Sequence, residues 1–327
     1  MRLPELHPWL DKTWQQIQAS GERLPHAILI SGPAGLGKTE FAYRLAASLL
    51  CQEPANDGEP CGQCKSCRLY AADSHPDFRI VQPEDDSSLI VVDQVRSIIQ
   101  YTSLRAHTSV RKVIVLTPAE AMNINASNGL LKILEEPPSD SVLILVCSTP
   151  QALSATIRSR CAHFRIGQPA QSDAIEWLVR HGMSDQVAVD LLAAGNNAPL
   201  RAQELEQQGF SKARQMMIED LKALLQPSGN PVGCAARWKA IGAGFCLAWL
   251  GGLIADLIQV SVVRPETPRL NNPSLQEVLK DMAVLTTPER LFGLLDKTVE
   301  AANLASTPLD DTLLIEDILI GWSRTRI

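Results

Sequence analysis

The segment from Gly32 to Thr39 constrains the fold of this chain more than any other sequence feature. It fits the pattern G-x-x-x-x-G-K-[ST], and it lies between the apolar run Ala27–Ser31 and a helical pattern. A strand, a glycine-rich turn and a helix in this order form a loop whose backbone N–H groups surround phosphate oxygens. The sequence therefore predicts an α/β domain that can hold a nucleotide.

Specific residues of this loop have predictable roles. The backbone freedom needed to close around phosphate comes from Gly32, Gly35 and Gly37. We expect Lys38 to reach the β- and γ-phosphates and the Thr39 hydroxyl to bind Mg²⁺. The alternative is a glycine-rich turn without a ligand, which is disfavoured because every fixed position of the pattern is present.

The acid that nucleotide hydrolysis requires is missing from its expected place. A loop-type ATPase holds Mg²⁺ with a carboxylate at the end of a later strand, but here the strand Lys112–Leu116 is followed by Thr117 and Pro118. Glu120 comes two positions later, and we expect it to face away from the site as an acid at a helix N-terminus. The sequence thus predicts weak binding of ATP or ADP with Mg²⁺, and little hydrolysis.

Short apolar runs alternate with helical patterns in the first half of the chain, which is typical of a doubly wound α/β domain. Most runs lack polar alternation, as expected for parallel strands covered on both faces. The predicted strands are Ala27–Ser31, Phe78–Val81, Lys112–Leu116, Val142–Cys147 and His163–Ile166. The predicted helices between them are Thr39–Leu50, Val91–Leu104 and Ser127–Glu135.

The pattern becomes helical after Pro169. Short helices are expected from residue 172 to about 207, with a break at 195–197. Longer helices are predicted at Met216–Leu225, Arg237–Val263, Leu275–Ala283, Glu289–Leu304 and Leu309–Ile320. We therefore predict a nucleotide-binding domain at residues 1–167, a small helical domain at 168–207 and an all-helical domain at 208–327.

A cluster of cysteines follows the helix of the phosphate loop, with the spacing C-x9-C-x2-C-x2-C. Its members are Cys51, Cys61, Cys64 and Cys67. Four thiolates can close a tetrahedral Zn²⁺ site with no open position, so this zinc would be structural. Residues 52–60 are too polar to form a core, and a metal explains how they stay ordered. Disulfides and unconnected free thiols are the alternatives.

Charge and hydropathy limit where the chain acts. The N-terminus has no secretory pattern, so we expect a cytoplasmic protein, in which disulfides are disfavoured. The uncharged run Ala240–Ala255 has 16 residues, fewer than the ~20 of a spanning helix, and is predicted to be a buried helix rather than a membrane span. A net charge of −6 excludes a generally basic surface, so DNA contact would need a local patch or partner subunits.

Several segments resemble the clamp-loader branch of the AAA+ ATPases. They are RLPHAILISGPAGLGKTEFAYRLAASLLC from Arg23, SHPDF at Ser74–Phe78, NGLLKILEEPP at Asn128–Pro138 and TIRSRC at Thr156–Cys161. The resemblance covers nearly all of residues 1–205 and implies an AAA+ domain with a zinc insertion, a small helical lid and a helical collar. Motor subunits of this branch carry Asp-Glu at Thr117-Pro118, so the chain looks like the delta-prime subunits, which lack that pair; some of these have also lost the phosphate loop.

The resemblance also assigns residues to ATP hydrolysis. In this family the arginine of the Ser159-Arg160-Cys161 motif reaches the γ-phosphate in a neighbouring subunit, which makes Arg160 an arginine finger in trans. Without the motif, a surface salt bridge would be the ordinary role of such a residue, and Arg158 is a nearby competitor. Thr149 matches a γ-phosphate-sensing position and Arg201 a second-sensor position.

The function that the resemblance implies is a clamp-loader subunit of the DNA polymerase III holoenzyme. Such a subunit would have little intrinsic ATPase activity and no polymerase active site. Its expected partners are the tau/gamma motor subunits and the delta subunit, and through the complex the sliding clamp and primed DNA. The helical C-terminal domain would then either join the collar of five subunits or stand as a self-contained bundle.

Three other functions remain as alternatives. An active motor subunit of the same family is disfavoured by Thr117-Pro118. A zinc-containing P-loop nucleotide kinase would have no use for the Ser-Arg-Cys and LEEPP motifs. A DNA-binding zinc module is disfavoured because Cys61–Arg68 offers only Lys65 and Arg68, without stacking aromatic residues.

Overall fold

The computed structural model describes residues 3–84, 87–137, 140–262, 270–305, 307 and 309–326, with only the backbone described at Glu22. Pro138 of the LEEPP motif and Val263 of the predicted helix lie outside these residues. The chain divides into two compact units, Met1–Pro169 and Ala170–Ile327. The division into three domains at 167 and 207 stays a prediction.

A parallel sheet forms the centre of the first unit, with strand order β2-β3-β4-β1-β5 in its described residues. The strands are β1 (Ala27–Ser31), β2 (Phe78–Val81), β3 (Lys112–Leu116), β4 (Ser141–Cys147) and β5 (Ala162–Arg165). Every residue of β1 and β3 is buried, as their continuous apolar character predicts. Ser31 is in register with both Cys147 and Arg165, so the carboxyl ends of β1, β4 and β5 lie side by side.

Helices cover this sheet. They are α1 (Asp11–Gln18), α2 (Lys38–Leu50), α3 (Lys65–Ala71), α4 (Val92–Ser103), α5 (Ile124–Glu135) and α6 (Ala155–Ser159). Short 3-10 turns lie at Pro8–Leu10, Gly21–Arg23, Ala119–Ala121 and Pro150–Ala152. Helix α5 begins three residues before its predicted start because the Asn123 side chain accepts the N–H of Ala126 and caps the first turn. The predicted α/β class of this unit is confirmed.

The second unit is helical in its described residues. Its helices are α7 (Gln171–Arg180), α8 (Asp185–Ala194), α9 (Pro199–Gln207), α10 (Phe210–Leu224), α11 (Pro231–Lys239), α12 (Ala243–Val262), α13 (Gln276–Ala283), α14 (Pro288–Leu304) and α15 (Asp311–Ser323), with a 3-10 turn at Pro273–Leu275. The prediction of one helix from Arg237 to Val263 was wrong. Gly242 separates α11 from α12 with a φ of +117°, a conformation that side chains of L-residues rarely adopt.

Helix α12 is long and apolar enough to cross a membrane by length and composition, and it is the one such helix among the described residues. Half of its most apolar window is buried, and it packs against α13 and α14. Asp256 lies fully buried in this helix. Its carboxylate accepts hydrogen bonds from the backbone and side-chain N–H groups of Asn271 and Asn272. These contacts fit the expected buried helix of a helical unit.

Candidate nucleotide and zinc sites

The phosphate loop has the backbone conformation that its glycines permit. Gly35 and Gly37 have φ angles of +74° and +79°, and Gly37 lies directly before the first residue of α2. At Gly32, where φ is +154°, an added Cβ would lie 2.3 Å from the carbonyl oxygen of Ile166. Larger side chains at these positions would strain the loop or clash with it, so the glycines are needed for its shape.

Lys38 carries a buried positive charge at the start of α2. Its side chain is only 6% exposed, and its Nζ donates a hydrogen bond of 2.6 Å to the carbonyl oxygen of Pro33. Burial lowers the pKa of Lys38, and the charge of Glu120 is the strongest of those that oppose this effect. None of the described ion pairs includes Lys38. A buried ammonium group held by one neutral carbonyl fits a site for a phosphate anion.

The position expected for a metal-binding carboxylate holds a hydroxyl group instead. Thr117 follows β3 directly and is 7% exposed. Its Oγ1 lies 3.2 Å from the Oγ1 of Thr39, the residue expected to bind Mg²⁺. Mg²⁺ in such sites is held by carboxylates and phosphates, and a pair of neutral hydroxyls supplies no negative charge. The arrangement is therefore a poor magnesium site.

Glu120 faces the end of the sheet, so the expectation that it faces away was wrong. The 3-10 turn Ala119–Ala121 brings its carboxylate back toward β4, where Oε1 accepts the N–H groups of Ser148 at 2.8 Å and Thr149 at 3.3 Å. Its Oε2 is buried with no hydrogen-bond partner among the described residues. Burial, with Glu120 as the next cause, raises the pKa of Cys147 to about 12. The free N–H groups at the end of β4 explain why the carboxylate turns this way.

The predicted sensor Thr149 lies close to the phosphate loop, because its backbone N–H donates to Glu120 just after the end of β4. It is an exposed residue between β4 and the turn Pro150–Ala152. Arg201 lies in the second unit on α9, where it is 45% exposed and forms an ion pair of 3.1 Å with Glu204. The sensor roles of both residues stay predictions.

Arg160 lies at the surface directly after α6. Its guanidinium group makes an ion pair with Glu135, with 2.7 Å between Nη2 and Oε1, and Nη1 donates to the carbonyl oxygen of Thr156 at 3.2 Å. The side chain is 35% exposed. In Arg158, by contrast, Nε is buried with no hydrogen-bond partner among the described residues. The ion pair with Glu135 thus holds the Arg160 guanidinium group in a partly exposed position, and its role in trans stays a prediction.

The four cysteines of the insertion come together as the spacing predicts. Their sulfur atoms all lie within 4.8 Å of one another. The measured Sγ–Sγ distances include 3.9 Å for Cys51–Cys64, 4.0 Å for Cys61–Cys67 and 3.6 Å for Cys51–Cys67. A tetrahedron with Zn–S bonds of about 2.3 Å has edges of about 3.8 Å. The group is therefore compatible with a closed zinc site, and no disulfide joins its members.

Backbone N–H groups lower the pKa of two thiols of this group, Cys61 and Cys64, whereas burial raises the pKa of Cys51 and Cys67. The N–H groups of Cys61, Cys64 and Cys67 each point at the sulfur of the preceding cysteine of the set, at 3.3 Å. Although burial opposes it, the N–H groups of Cys67 and Gln52 lower the pKa of Cys64 to about 6. A thiolate at neutral pH is the form that binds zinc.

A buried polar network that the sequence analysis did not single out supports the cysteine group. Ser66, between two of the cysteines, donates a hydrogen bond to the carbonyl oxygen of Leu50 at 2.6 Å and lies 2.7 Å from Nε2 of His75. His75 Nδ1 accepts the N–H of Asp77, so its proton is on Nε2. The Asp77 carboxylate accepts the N–H groups of residues 107–109. The SHPDF motif supplied the signal, because a His and an Asp two residues apart directly before a strand are candidates for such a network.

Two family models match the chain: "DNA polymerase III, delta subunit" over residues 8–170 and "DNA polymerase III, delta subunit, C terminal" over residues 208–324. A relative from Pseudomonas aeruginosa, DNA polymerase III subunit delta-prime, is 34% identical over 98% of each chain. The protein of the same name from Escherichia coli is 30% identical over 96% of this chain and 94% of its own. A solved DNA polymerase III gamma subunit-related protein from Thermotoga maritima is 17% identical over 96% of this chain and 99% of its own, with a TM-score of 0.42.

Proposed function

The chain belongs to the delta-prime family of DNA polymerase III clamp-loader subunits, and from that premise we propose that it is a scaffold that hydrolyses little ATP itself and supplies Arg160 to a neighbour's ATP site. The observation that carries this proposal is the contrast between two positions in one domain. A hydroxyl stands where a magnesium carboxylate is needed, whereas a guanidinium group is available at the surface.

The chain's own phosphate loop is suited to holding a nucleotide but not to hydrolysing it. Gly35, Gly37, Lys38 and Thr39 can surround a phosphate, so the loop can hold ADP or ATP. Hydrolysis also needs Mg²⁺ to neutralise charge at the γ-phosphate, and Thr117 gives the metal no carboxylate. Without a firmly held Mg²⁺, the attacking water is also less well positioned. We therefore expect weak nucleotide binding with negligible turnover.

Arg160 is held in its own subunit by a weak, partly exposed ion pair. The ion pair between Arg160 and Glu135 is half-exposed on the carboxylate side and so contributes at most about 1 kcal/mol. Releasing the guanidinium group toward a partner therefore costs little. At a neighbour's γ-phosphate, the same group would stabilise the transition state, where an arginine finger accelerates hydrolysis by roughly 10³–10⁵.

The partners follow from this role. The tau/gamma motor subunits would contribute the ATP sites, with the delta subunit as a further member, and the assembled complex would engage the sliding clamp and primed DNA. The helical region from 208 would hold the subunits together. The chain would act in the cytoplasm as a component of a nucleotidyltransferase holoenzyme, without a polymerase site of its own.

The zinc in this proposal is structural. Cys51, Cys61, Cys64 and Cys67 would hold it, and four protein ligands leave no position for a substrate or water. Bound there, the metal would fix the polar insertion between α2 and α3.

Reconstitution of the complex with Arg160→Ala tests the central claim. We expect normal assembly, because a surface arginine contributes little to its own fold, and a loss of ATP hydrolysis at one interface by roughly 10³–10⁵. Clamp loading onto primed DNA should fall with it. Arg160→Lys should restore little, since an ammonium lacks the planar fork of donors.

Arg96→Ala is the matched control, because Arg96 is also a surface arginine with one ion pair, to Asp93. It should load clamps at the unmodified rate. If the Arg160→Ala complex, at confirmed stoichiometry, loaded clamps as fast as the control, the role in trans would be wrong.

A further inference from the structure

A carboxylate lies at the phosphate-binding edge of the sheet, in a place where the sequence analysis expected none. The loop begins with Gly32, whose N–H donates to the carbonyl oxygen of Cys147 at 3.3 Å. The next residue after Cys147 is Ser148, whose N–H donates to Glu120. The loop, the end of β4 and the Glu120 carboxylate are therefore consecutive neighbours in the structure.

The charges of this region are incompletely paired. Lys38 is buried with one carbonyl partner, and Oε2 of Glu120 is buried with no hydrogen-bond partner among the described residues. The two groups form no ion pair within 4.0 Å, yet Glu120 is the strongest of the charges that raise the pKa of Lys38. The hydrogen bonds from Gly32 to Cys147 and from Ser148 to Glu120 place the Glu120 carboxylate at the edge of the sheet where the loop begins, and the N–H groups of Ser148 and Thr149 fix its position.

We propose that Glu120 is a specificity residue of the phosphate loop, whose carboxylate disfavours a third phosphate so that the site prefers a nucleoside diphosphate to a triphosphate. This rests on the proposed capacity of the loop to hold a nucleotide. The physical reason is the placement of like charges. Lysines of such loops reach the β- and γ-phosphates, so a fixed negative charge at the edge of the sheet where the loop begins repels the more highly charged ligand.

The hydroxyl pair strengthens this discrimination. In an active site, Mg²⁺ held by a carboxylate neutralises part of the triphosphate charge. Here the Thr39–Thr117 pair offers the metal no charged ligand, so less of the charge on the γ-phosphate is neutralised and more of the repulsion from Glu120 remains. A diphosphate leaves that side of the loop to the carboxylate.

Calorimetric titration of the full chain with ADP and with ATP, each with Mg²⁺, tests the proposal through binding alone. We expect the wild-type chain to bind ADP at least ~10-fold more tightly than ATP, the scale of one like-charge contact at a partly buried site. Glu120→Gln keeps an oxygen for the Ser148 N–H and removes the charge. It should raise the ATP affinity ~10-fold or more and the ADP affinity much less.

Two further variants separate charge from shape and position. Glu120→Asp keeps the charge and should retain the preference for ADP. Glu40→Gln is the matched control, because Glu40 is also an acid that acts on Lys38, but it lies exposed in the first turn of α2. It should change both affinities by less than ~3-fold. Circular dichroism and zinc content establish that each variant is folded.

Equal affinities of the wild-type chain for ATP and ADP would overturn the proposal, as would an equal rise of both affinities in the Glu120→Gln chain. It is also overturned if neither the wild-type nor the Glu120→Gln chain binds nucleotide. None of these results affects the role of Arg160, which is measured by clamp loading in the assembled complex. If Arg160→Ala also left loading unchanged, the scaffold function would fail independently.

Discussion

Replacing Asp256 by Asn should strongly destabilise the helical unit. In the native structure, Oδ1 accepts the backbone and side-chain N–H groups of Asn271 at 2.7 and 2.9 Å, and Oδ2 accepts those of Asn272 at 2.8 and 2.9 Å. An amide has one oxygen, so its NH₂ group would face a pair of N–H donors. Asp256 is fully buried and Asn272 is only 5% exposed, so on the Asn272 side solvent does not readily replace the lost acceptor.

The magnitude follows from those contacts. A hydrogen bond to a charged acceptor contributes about 1.5–3 kcal/mol, so the loss of a pair costs about 3–6 kcal/mol. Removing a buried charge returns part of this, which leaves a decrease of about 2–4 kcal/mol in the free energy of unfolding. For a unit of this size, the corresponding fall in melting temperature is roughly 5–15 °C.

Urea unfolding followed by tryptophan fluorescence is a suitable assay. The indole of Trp249 donates to the side chain of Asn272 at 3.0 Å and so lies beside the perturbed group. Asp281→Asn, at an exposed position of α13, is the matched control and should change the unfolding free energy by less than about 0.5 kcal/mol. A cost for Asp256→Asn within that range would mean that the Asp256 carboxylate contributes little to the stability of the helical unit.

Three other predictions concern the first unit. The purified chain should contain close to one zinc by metal analysis, and Cys64→Ser should lose it and unfold at lower temperature while ADP affinity stays unchanged; no zinc in freshly reduced wild-type protein would contradict this. In a coupled phosphate-release assay, the isolated chain should show negligible Mg²⁺-dependent ATP hydrolysis. Rates typical of motor subunits would show that Thr117 in place of a carboxylate does not prevent hydrolysis. Burial, opposed by the charge of Asp77, lowers the pKa of His75 below its usual 6.5, so the unfolded chain takes up this proton first. The contribution of His75 to the free energy of unfolding should therefore be fully present above about pH 6.5 and decrease as the pH falls below it. If a His75→Gln chain showed the same dependence of unfolding free energy on pH, His75 would not be its cause.

The sequence was most informative where local pattern and chemistry agree. The apolar runs located β1, β2 and β3 with their observed bounds, because strands buried on both faces leave a clear signal. The cysteine spacing predicted the group of four sulfurs for a similar reason: short spacings on tight turns bring ligands together whatever the rest of the fold does.

Features decided by tertiary contacts were not predicted. Glu120 was expected to face away because the local sequence showed only an acid at a helix N-terminus. Its actual direction depends on the N–H groups of Ser148 and Thr149, which follow 28 and 29 residues later in the chain. The break at Gly242 was hidden because the apolar pattern continues through it, and one positive φ is enough to end a helix. The SHPDF motif pointed to His75 and Asp77 as members of a polar network, but it did not identify Ser66 on α3 as the partner of His75.

Helix α2 begins at Lys38 and ends at Leu50, whose carbonyl oxygen receives the Ser66 hydroxyl from within the cysteine module. Its 13 residues span about 20 Å. Groups bound at the two ends of this helix are therefore too far apart to touch each other. The phosphate loop and the cysteine group are therefore separable parts of the domain, and either could be altered without rebuilding the helix that joins them.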